Sequence, residues 1–143
     1  MIRSLTAGLV LATLLGGAAF AETIEVQMLN RGSDGDRMVF EPSFVNAQPG
    51  DTIKFIATDK GHNAETVADM IPEGAEGFKG KINEEIEVTL DEEGLYGVIC
   101  KPHYAMGMVM TIAVGDVEGP GDYLEGRIPR KAKERFEAQT SDL

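Results

Sequence analysis

One short run constrains this chain more than any other feature: residues 100–108, CKPHYAMGM. The run holds the only cysteine, and the only histidine besides His103 is His62, well upstream in a Gly-His-Asn sequence. One thiolate, two imidazoles and a thioether make up the donor set of a blue copper site, which has a His₂Cys trigonal plane and a long axial Met. Any fold for this chain must therefore bring His62 close to residues 100–108.

The spacing within the run has a physical account. Cys100 and His103 stand at the two ends of a tight turn that leaves a strand, so their thiolate and imidazole can converge on one ion. Met108 begins the returning strand and approaches from a third direction, while Met106 is the alternative axial ligand by spacing alone. Soft sulfur ligands suit Cu(I) and imidazole suits Cu(II), and a site tolerant of both states is what one-electron transfer requires.

Three alternatives to an electron-transfer copper site fit the same residues less well. Zinc can bind a Cys-His₂ set, but structural zinc is usually closed by four Cys or His ligands. A copper carrier or chaperone needs an exposed Met-rich or Cys-x-x-Cys site that releases its ion readily. A copper oxidase or reductase needs further histidines for a second, open site, and this chain has two in all. The pattern favours an electron carrier that is not an enzyme.

The amino terminus predicts a signal peptide over residues 1–21. Arg3 gives a positive start, residues 5–15 are mostly apolar, and Ala19-Phe20-Ala21 fits a small-x-small cleavage site. The apolar stretch is short for a membrane span, which needs about 20 residues, although an uncleaved anchor is the alternative. We expect a bacterial periplasmic protein that matures at Glu22.

Charge and cysteine content narrow the function classes further. The chain has 13 Lys and Arg against 24 Asp and Glu, a formal net charge of −11. Such acidity argues against binding to nucleic acid, whose phosphates require clustered Lys and Arg, and against anionic membrane surfaces. A lone cysteine in an oxidising compartment needs an explanation, and metal coordination supplies one because a coordinated Cys is held as the thiolate.

Residues 22–143 fall within the size range of one domain. Alternating or continuous apolar residues predict strands in five places: residues 24–28, 52–55, 85–90, 95–99 and 108–114. Short strands separated by turn signals are typical of a β-sandwich or barrel. Residues 31–36 and 59–84 lack this alternation and are predicted loops, of which the second delivers His62.

The tail after Gly121 predicts two small helices. Asp122 can cap the first, and Pro129 suits the first position of the second. Ile128, Ala132 and Phe136 recur four residues apart and form an apolar face that would pack on the sandwich. We expect these helices to have no chemistry of their own.

Residues 100–108, the Gly-His-Asn motif and the tail resemble the pseudoazurins, a cupredoxin family, along essentially all of residues 22–143. Amicyanins have a shorter ligand loop and azurins a longer one, while plastocyanins lack the helical tail. The resemblance implies an all-β, Greek-key β-sandwich over residues 22–115 and a helical extension with two short α-helices over residues 121–143. Carried over by position, the ligands of its one type 1 copper are His62, Cys100, His103 and Met108.

The resemblance also implies roles for the residues beside the ligands. The backbone N–H of Asn63 donates a hydrogen bond to the cysteine sulfur, and its side chain braces the ligand loop. Pro102 has no N–H and so withholds a second hydrogen bond, which leaves the thiolate more electron-rich and favours Cu(II). Replacing Pro102 by Ala is therefore expected to raise the reduction potential. Met106 is expected to pack beside the site.

A docking surface is expected around His103, whose outer edge should reach solvent. Its apolar rim would comprise Pro102, Ala105 and Met106, with Met38 added by the resemblance. Lys60 and Lys101 flank ligand-bearing segments, whereas the acidic turn at residues 91–93 lies at the far end of the strand that leads to Cys100. The family implies a copper nitrite reductase or another periplasmic reductase as acceptor and a cytochrome as donor, each met by a monomer.

Overall fold

The computed structural model describes residues 20–143. The predicted signal peptide, residues 1–21, lies outside the described residues except for its last two, Phe20 and Ala21, which are exposed. The described part contains eight strands and one α-helix: β1 (Thr23–Arg31), β2 (Arg37–Glu41), β3 (Phe44–Ala47), β4 (Asp51–Ile56), β5 (Glu65–Thr66), β6 (Ile86–Leu90), β7 (Gly94–Ile99), β8 (Val109–Val114) and α1 (Arg130–Thr140). Two 3₁₀ segments, Ala68–Met70 and Lys101–Met106, complete it. No helix in residues 20–143 is both long and apolar enough to cross a bilayer.

The strands form two four-stranded sheets, with strand orders β2-β1-β4-β6 and β3-β8-β7-β5. Strand β1 runs parallel to β4 and β3 runs parallel to β8, and the other neighbouring strands are antiparallel. Between β2 and β7 the chain passes from one sheet to the other at every connection. The predicted all-β sandwich with Greek-key crossovers is confirmed.

The main core lies between the two sheets. Strand β4 turns Ile53 and Phe55 inward, and β1 contributes Val26 and Met28, all four fully buried. In β1 the exposed Glu25 and Gln27 alternate with the buried Val26 and Met28. The alternation seen in the sequence is therefore that of a half-buried strand. Hydrophobic burial of this face is what holds the two sheets together.

Strand β8 is buried along its whole length because both of its faces are covered. Met110, Ile112 and Val114 face the core between the sheets. Val109 and Ala113 face a second apolar cluster, which includes Phe136 of α1. This double coverage explains why residues 108–114, apart from Thr111, form an apolar run in the sequence rather than an alternating one.

The tail contains one α-helix, not the two that the sequence predicted. Helix α1 buries Ala132 and Phe136, as expected, but residues 121–124 form a turn. There the Tyr123 N–H donates to the Pro120 carbonyl at 2.9 Å, and the chain does not continue as a helix. Gly126 and Pro129 follow within a few residues, and both are poor helix formers, so the turn does not extend into a helix.

We expect Phe55→Ala to lower the free energy of unfolding by about 3–5 kcal/mol, because the truncated side chain leaves a cavity between the sheets. The exposed Glu87 on the neighbouring strand β6 provides the control, and Glu87→Ala should change stability by no more than about 0.5 kcal/mol. Urea titration of both variants measures the difference. A loss below about 1 kcal/mol for Phe55→Ala would contradict the core described above.

Candidate metal centre

The predicted metal-binding side chains meet at one end of the sandwich. His62 lies in the connection between β4 and β5, and Cys100 directly follows β7. His103 belongs to the 3₁₀ segment Lys101–Met106, and Met108 directly precedes β8. Strands β7 and β8 are adjacent antiparallel partners, so the end of one and the start of the other necessarily lie side by side.

Backbone hydrogen bonds fix the ligand loop between β7 and β8. The Cys100 N–H donates to the Met108 carbonyl at 3.0 Å, and the Met108 N–H donates to the His103 carbonyl at 3.1 Å. Gly107 closes the 3₁₀ segment with a φ angle of 89°, a left-handed conformation that glycine adopts without steric cost. Hydrogen bonds within the loop backbone therefore fix the positions of Cys100, His103 and Met108 relative to one another.

Three donor atoms converge closely enough to share one ion. The two histidine Nδ1 atoms are 3.1 Å apart. Cys100 Sγ lies 3.4 Å from His103 Nδ1 and 3.7 Å from His62 Nδ1. Separations of this size are expected of nitrogen and sulfur atoms bound to one metal at about 2.0 and 2.3 Å respectively.

The environment of His62 leaves its Nδ1 free to ligate. The ring is fully buried, and its Nε2 lies 2.8 Å from Asn30 Oδ1. An amide oxygen only accepts hydrogen bonds, so Nε2 carries the proton and Nδ1 presents its lone pair to the cluster. Burial lowers the pKa of His62, and His103 lowers it further, which keeps the ring neutral at neutral pH.

Cys100 has no solvent exposure, and its burial raises the pKa of its thiol. Hydrogen bonds from the backbone N–H groups of Asn63 and His103 oppose that rise by stabilising the thiolate, while the charge of Glu65 adds to it. Because burial outweighs these bonds, the thiolate depends on a bound cation for its charge balance. The hydrogen bond from Asn63 is the one that the sequence resemblance implied. The bond from His103 is a second one, so the expectation that Pro102 leaves the sulfur with a single hydrogen bond is wrong: the next residue supplies the N–H that Pro102 lacks.

The donor set fits copper. A buried thiolate and two imidazoles form the plane of a type 1 site, and a thioether is a soft ligand that copper accepts. Met108 is fully buried in the same cluster as Cys100, whereas Met106 is 43% exposed. Burial therefore favours Met108 over Met106 as the axial ligand.

The side chain of Asn63 links the two ligand-bearing segments. Its Oδ1 accepts from the Lys101 N–H at 2.7 Å. Its NH₂ group donates to Glu65 Oε2 at 2.9 Å and to the Gly80 carbonyl at 3.1 Å. All of its polar atoms are thus used within the protein, and the segment carrying His62 is fastened directly to the residue after Cys100.

His103 is the ligand that reaches the surface, since it is half-buried while His62 is fully buried. Pro102, Ala105 and Met106 lie exposed in the same loop, and Met38 is half-buried. Lys60 and Lys101 are exposed beside the two ligand-bearing segments. The acidic residues 91–93 directly precede β7, at the end of that strand opposite Cys100.

Two residues that contact the site were not found by sequence reasoning. Asn30 is the penultimate residue of β1, and no motif in the sequence relates it to His62, 32 residues away. Arg135 of α1 donates to the Gly107 carbonyl at 2.7 Å, although the tail was expected to have no role beside the metal. Both contacts depend on how distant elements pack, and the spacing of residues carries no signal of that.

Comparisons with known proteins agree with this geometry. The family described as copper binding proteins, plastocyanin/azurin family, matches residues 26–115. The pseudoazurin of Paracoccus pantotrophus is 48% identical over 142 residues, which covers 99% of this chain and 97% of the relative. A Sinorhizobium pseudoazurin structure aligns with a TM-score of 0.81 at 45% identity, covering 85% of this chain and 95% of that one. The pseudoazurin structure of Methylobacterium extorquens AM1 gives a TM-score of 0.78 at 40% identity, covering 84% and 98%.

Asn30→Ala should loosen the metal centre without unfolding the protein, because Asn30 is exposed but fixes the orientation of the buried His62 ring. Loss of such a partner typically weakens metal binding by about 10–100-fold. Competition with a chelator measures the change in copper affinity. The neighbouring Arg31→Ala, also exposed, is the matched control, and equal affinities for the two variants would contradict the role of Asn30.

Proposed function

This chain belongs to the plastocyanin/azurin family of copper-binding proteins, as a pseudoazurin, and we infer that the donor set described above holds its one type 1 copper. The protein is an electron carrier. When bound, copper supplies the Cu(I)/Cu(II) couple. The observation that supports the proposed ligands is the convergence of His62 Nδ1, Cys100 Sγ and His103 Nδ1 within 3.7 Å of one another. Met108 completes the proposed set from the buried side of the ligand loop.

The protein residues around the site would do two things for electron transfer. Asn30 holds the His62 ring by a hydrogen bond, and Asn63 fastens the segment carrying His62 to the backbone of Lys101, so little atomic movement accompanies a change of charge. The edge of His103 provides the path to the surface, since this ring is half-buried within an exposed apolar loop. A partner pressed against that loop excludes water from the path.

The proposal includes no substrate turnover, because a catalytic copper needs an open coordination position and further donors. The chain has two histidines and one cysteine, and the proposed site uses all three. We propose as partners a cytochrome that donates electrons and a copper nitrite reductase or similar reductase that accepts them. The exposed apolar loop around His103 supports this, since two redox proteins must approach closely.

The proposed location is the periplasm. Residues 1–21 have the charge, apolar length and small residues of a cleavable signal peptide. Sequencing the amino terminus of protein recovered from a periplasmic fraction tests this, and Glu22 is the expected first residue.

Adding Cu(II) to the purified protein should produce an intense blue or green colour, because a thiolate in the copper plane transfers charge to the metal. Visible absorption measures the band. Cys100→Ser should abolish it, and Ser33→Ala, on an exposed loop, should leave it unchanged. A colourless protein that nevertheless binds copper and yields it quickly to a chelator would replace the electron-carrier account of these ligands with that of a copper carrier.

The docking proposal predicts a charge effect on rate. Lys60→Glu and Lys101→Glu should each slow electron transfer to an acidic redox partner by roughly tenfold at low ionic strength, because surface charge steers encounter. Stopped-flow kinetics at several salt concentrations measure this, and the difference should shrink as salt screens it. Lys54→Glu is the control, because Lys54 lies in β4, in the sheet that does not lead to Cys100. Rates that respond equally to all three substitutions would contradict docking around His103.

A further inference from the structure

The C-terminal helix packs directly against the ligand loop. Helix α1 contacts β8 and the 3₁₀ segment Lys101–Met106, which carries His103. Its anchor is apolar: Phe136 and Ala132 are fully buried, and the Phe136 ring meets Tyr123 edge to face at a centroid distance of 5.7 Å. The helix therefore has a fixed position beside the copper site, and any side chain it directs at the loop is fixed as well.

Arg135 is the side chain that α1 directs at the loop. Its Nη1 donates to the carbonyls of Met38 and Gly107, both at 2.7 Å, and its Nη2 donates to the Arg37 carbonyl at 3.0 Å. Within residues 20–143 the ion pair present is Arg130–Glu134, so no carboxylate competes for this guanidinium. Charge-assisted bonds of this kind are roughly twice as strong as neutral ones.

The two segments that Arg135 joins are both unusual in backbone conformation. Gly107 has a φ angle of 89° and Met38 a φ angle of 54°, the latter uncommon for a residue other than glycine. Gly107 immediately precedes Met108 and is packed so closely under α1 that an added Cβ would lie 3.1 Å from Lys131 and 3.2 Å from Arg135. One guanidinium thus fixes the residue next to the axial sulfur and the residue predicted to border the docking surface.

The axial bond of a type 1 site is long and weak, and the axial ligand tunes the reduction potential. A weak bond does not position its own ligand, so the protein must hold the thioether at its distance from the plane. The backbone of Met108 is held on one side by strand pairing and on the other by the loop that Arg135 fastens. Displacing Gly107 would therefore shift the backbone of Met108, which is the next residue in the chain.

We propose that Arg135 is a positioning residue for the copper site, which sets the distance of Met108 from the ligand plane by fastening Gly107 to α1 and to Met38. The inference rests on the proposed ligation by Met108. It gives the C-terminal helix a function at the metal centre, where sequence reasoning expected only a packing role.

Two variants of Arg135 and one control test the proposal. Arg135→Ala removes all three hydrogen bonds, and Arg135→Lys keeps the charge but lacks the planar fork that reaches several carbonyls. Arg130→Ala is the control, because Arg130 is on the same helix and pairs with Glu134 at the surface. The readouts are the ratio of the charge-transfer bands of the Cu(II) protein, the rhombicity of its EPR spectrum, and amide hydrogen exchange of the metal-free protein.

The proposal expects altered band ratios and rhombicity for Arg135→Ala, an intermediate change for Arg135→Lys, and a wild-type spectrum for Arg130→Ala. It also expects amide exchange of Gly107 and Met108 in the metal-free Arg135→Ala protein to rise by about tenfold or more, while exchange in β1 and β4 stays unchanged. Spectra identical to wild type in both Arg135 variants would overturn it. A uniform rise in exchange across both sheets would also overturn it, because that result indicates general stabilisation.

Failure of the ligand assignment would give a different pattern. If the wild-type protein shows no charge-transfer band, the proposed copper ligation is wrong, whatever Arg135 does. The exchange of Gly107 and Met108 in the metal-free protein still decides whether Arg135 holds the loop. Should Arg135→Ala fail to fold, Arg135→Lys decides the outcome by the same spectra and the same exchange rates.

Discussion

The structure depends on bringing two imidazoles and a thiol together in a pocket at one end of a β-sandwich, where His62 and Cys100 are fully buried. Buried polar groups cost free energy unless they are hydrogen-bonded, so this pocket needs support that an apolar core does not. His62 obtains it from Asn30, and the segments on either side of the pocket obtain it from Asn63. The sheets on which these segments sit are held by ordinary apolar packing, which is what makes the ligand positions rigid.

Rigidity and asymmetry together suit this site to passing single electrons. His62 is fully buried and His103 is only half-buried, so the short electron-transfer path to the surface runs through the His103 ring. The fixed donor atoms resist rearrangement when charge changes, which keeps the barrier to transfer low. The C-terminal helix adds to the same rigidity through Arg135, which joins three backbone carbonyls of two separate segments.

Local patterns in the sequence predicted the parts of the fold that local physics determines. The alternation in β1, β4 and β6 reflects one buried face per strand, and the spacing of Cys100, His103 and Met108 reflects one tight loop between adjacent strands. Strands β2, β3 and β5 were not predicted. Strand β2 is the short second strand of a hairpin with β1, and the still shorter β3 and β5 pair with the distant strands β8 and β7. The first tail helix was predicted wrongly, since residues 121–124 form a single turn that the following Gly126 and Pro129 do not extend.

Within the site, too, local sequence patterns identified some residues and missed those whose role depends on the packing of distant elements. The proposed ligands could be selected from the sequence because cysteine and histidine are rare in this chain. Asn30 and Arg135 could not be, because each is a common polar residue whose importance arises only when β1 or α1 packs beside the loop. The Met38 carbonyl that Arg135 binds lies 97 residues away in the chain. No local pattern relates two such residues.

The central claim is that the fold prepares the ligand side chains before copper arrives and keeps them in place in both oxidation states. Crystal structures of the metal-free, Cu(II) and Cu(I) forms test it directly. The account predicts that the separations of 3.1, 3.4 and 3.7 Å among the three donor atoms change by no more than about 0.2 Å among the three forms. Rotation of His62 or Cys100 away from the cluster in the metal-free form would contradict it.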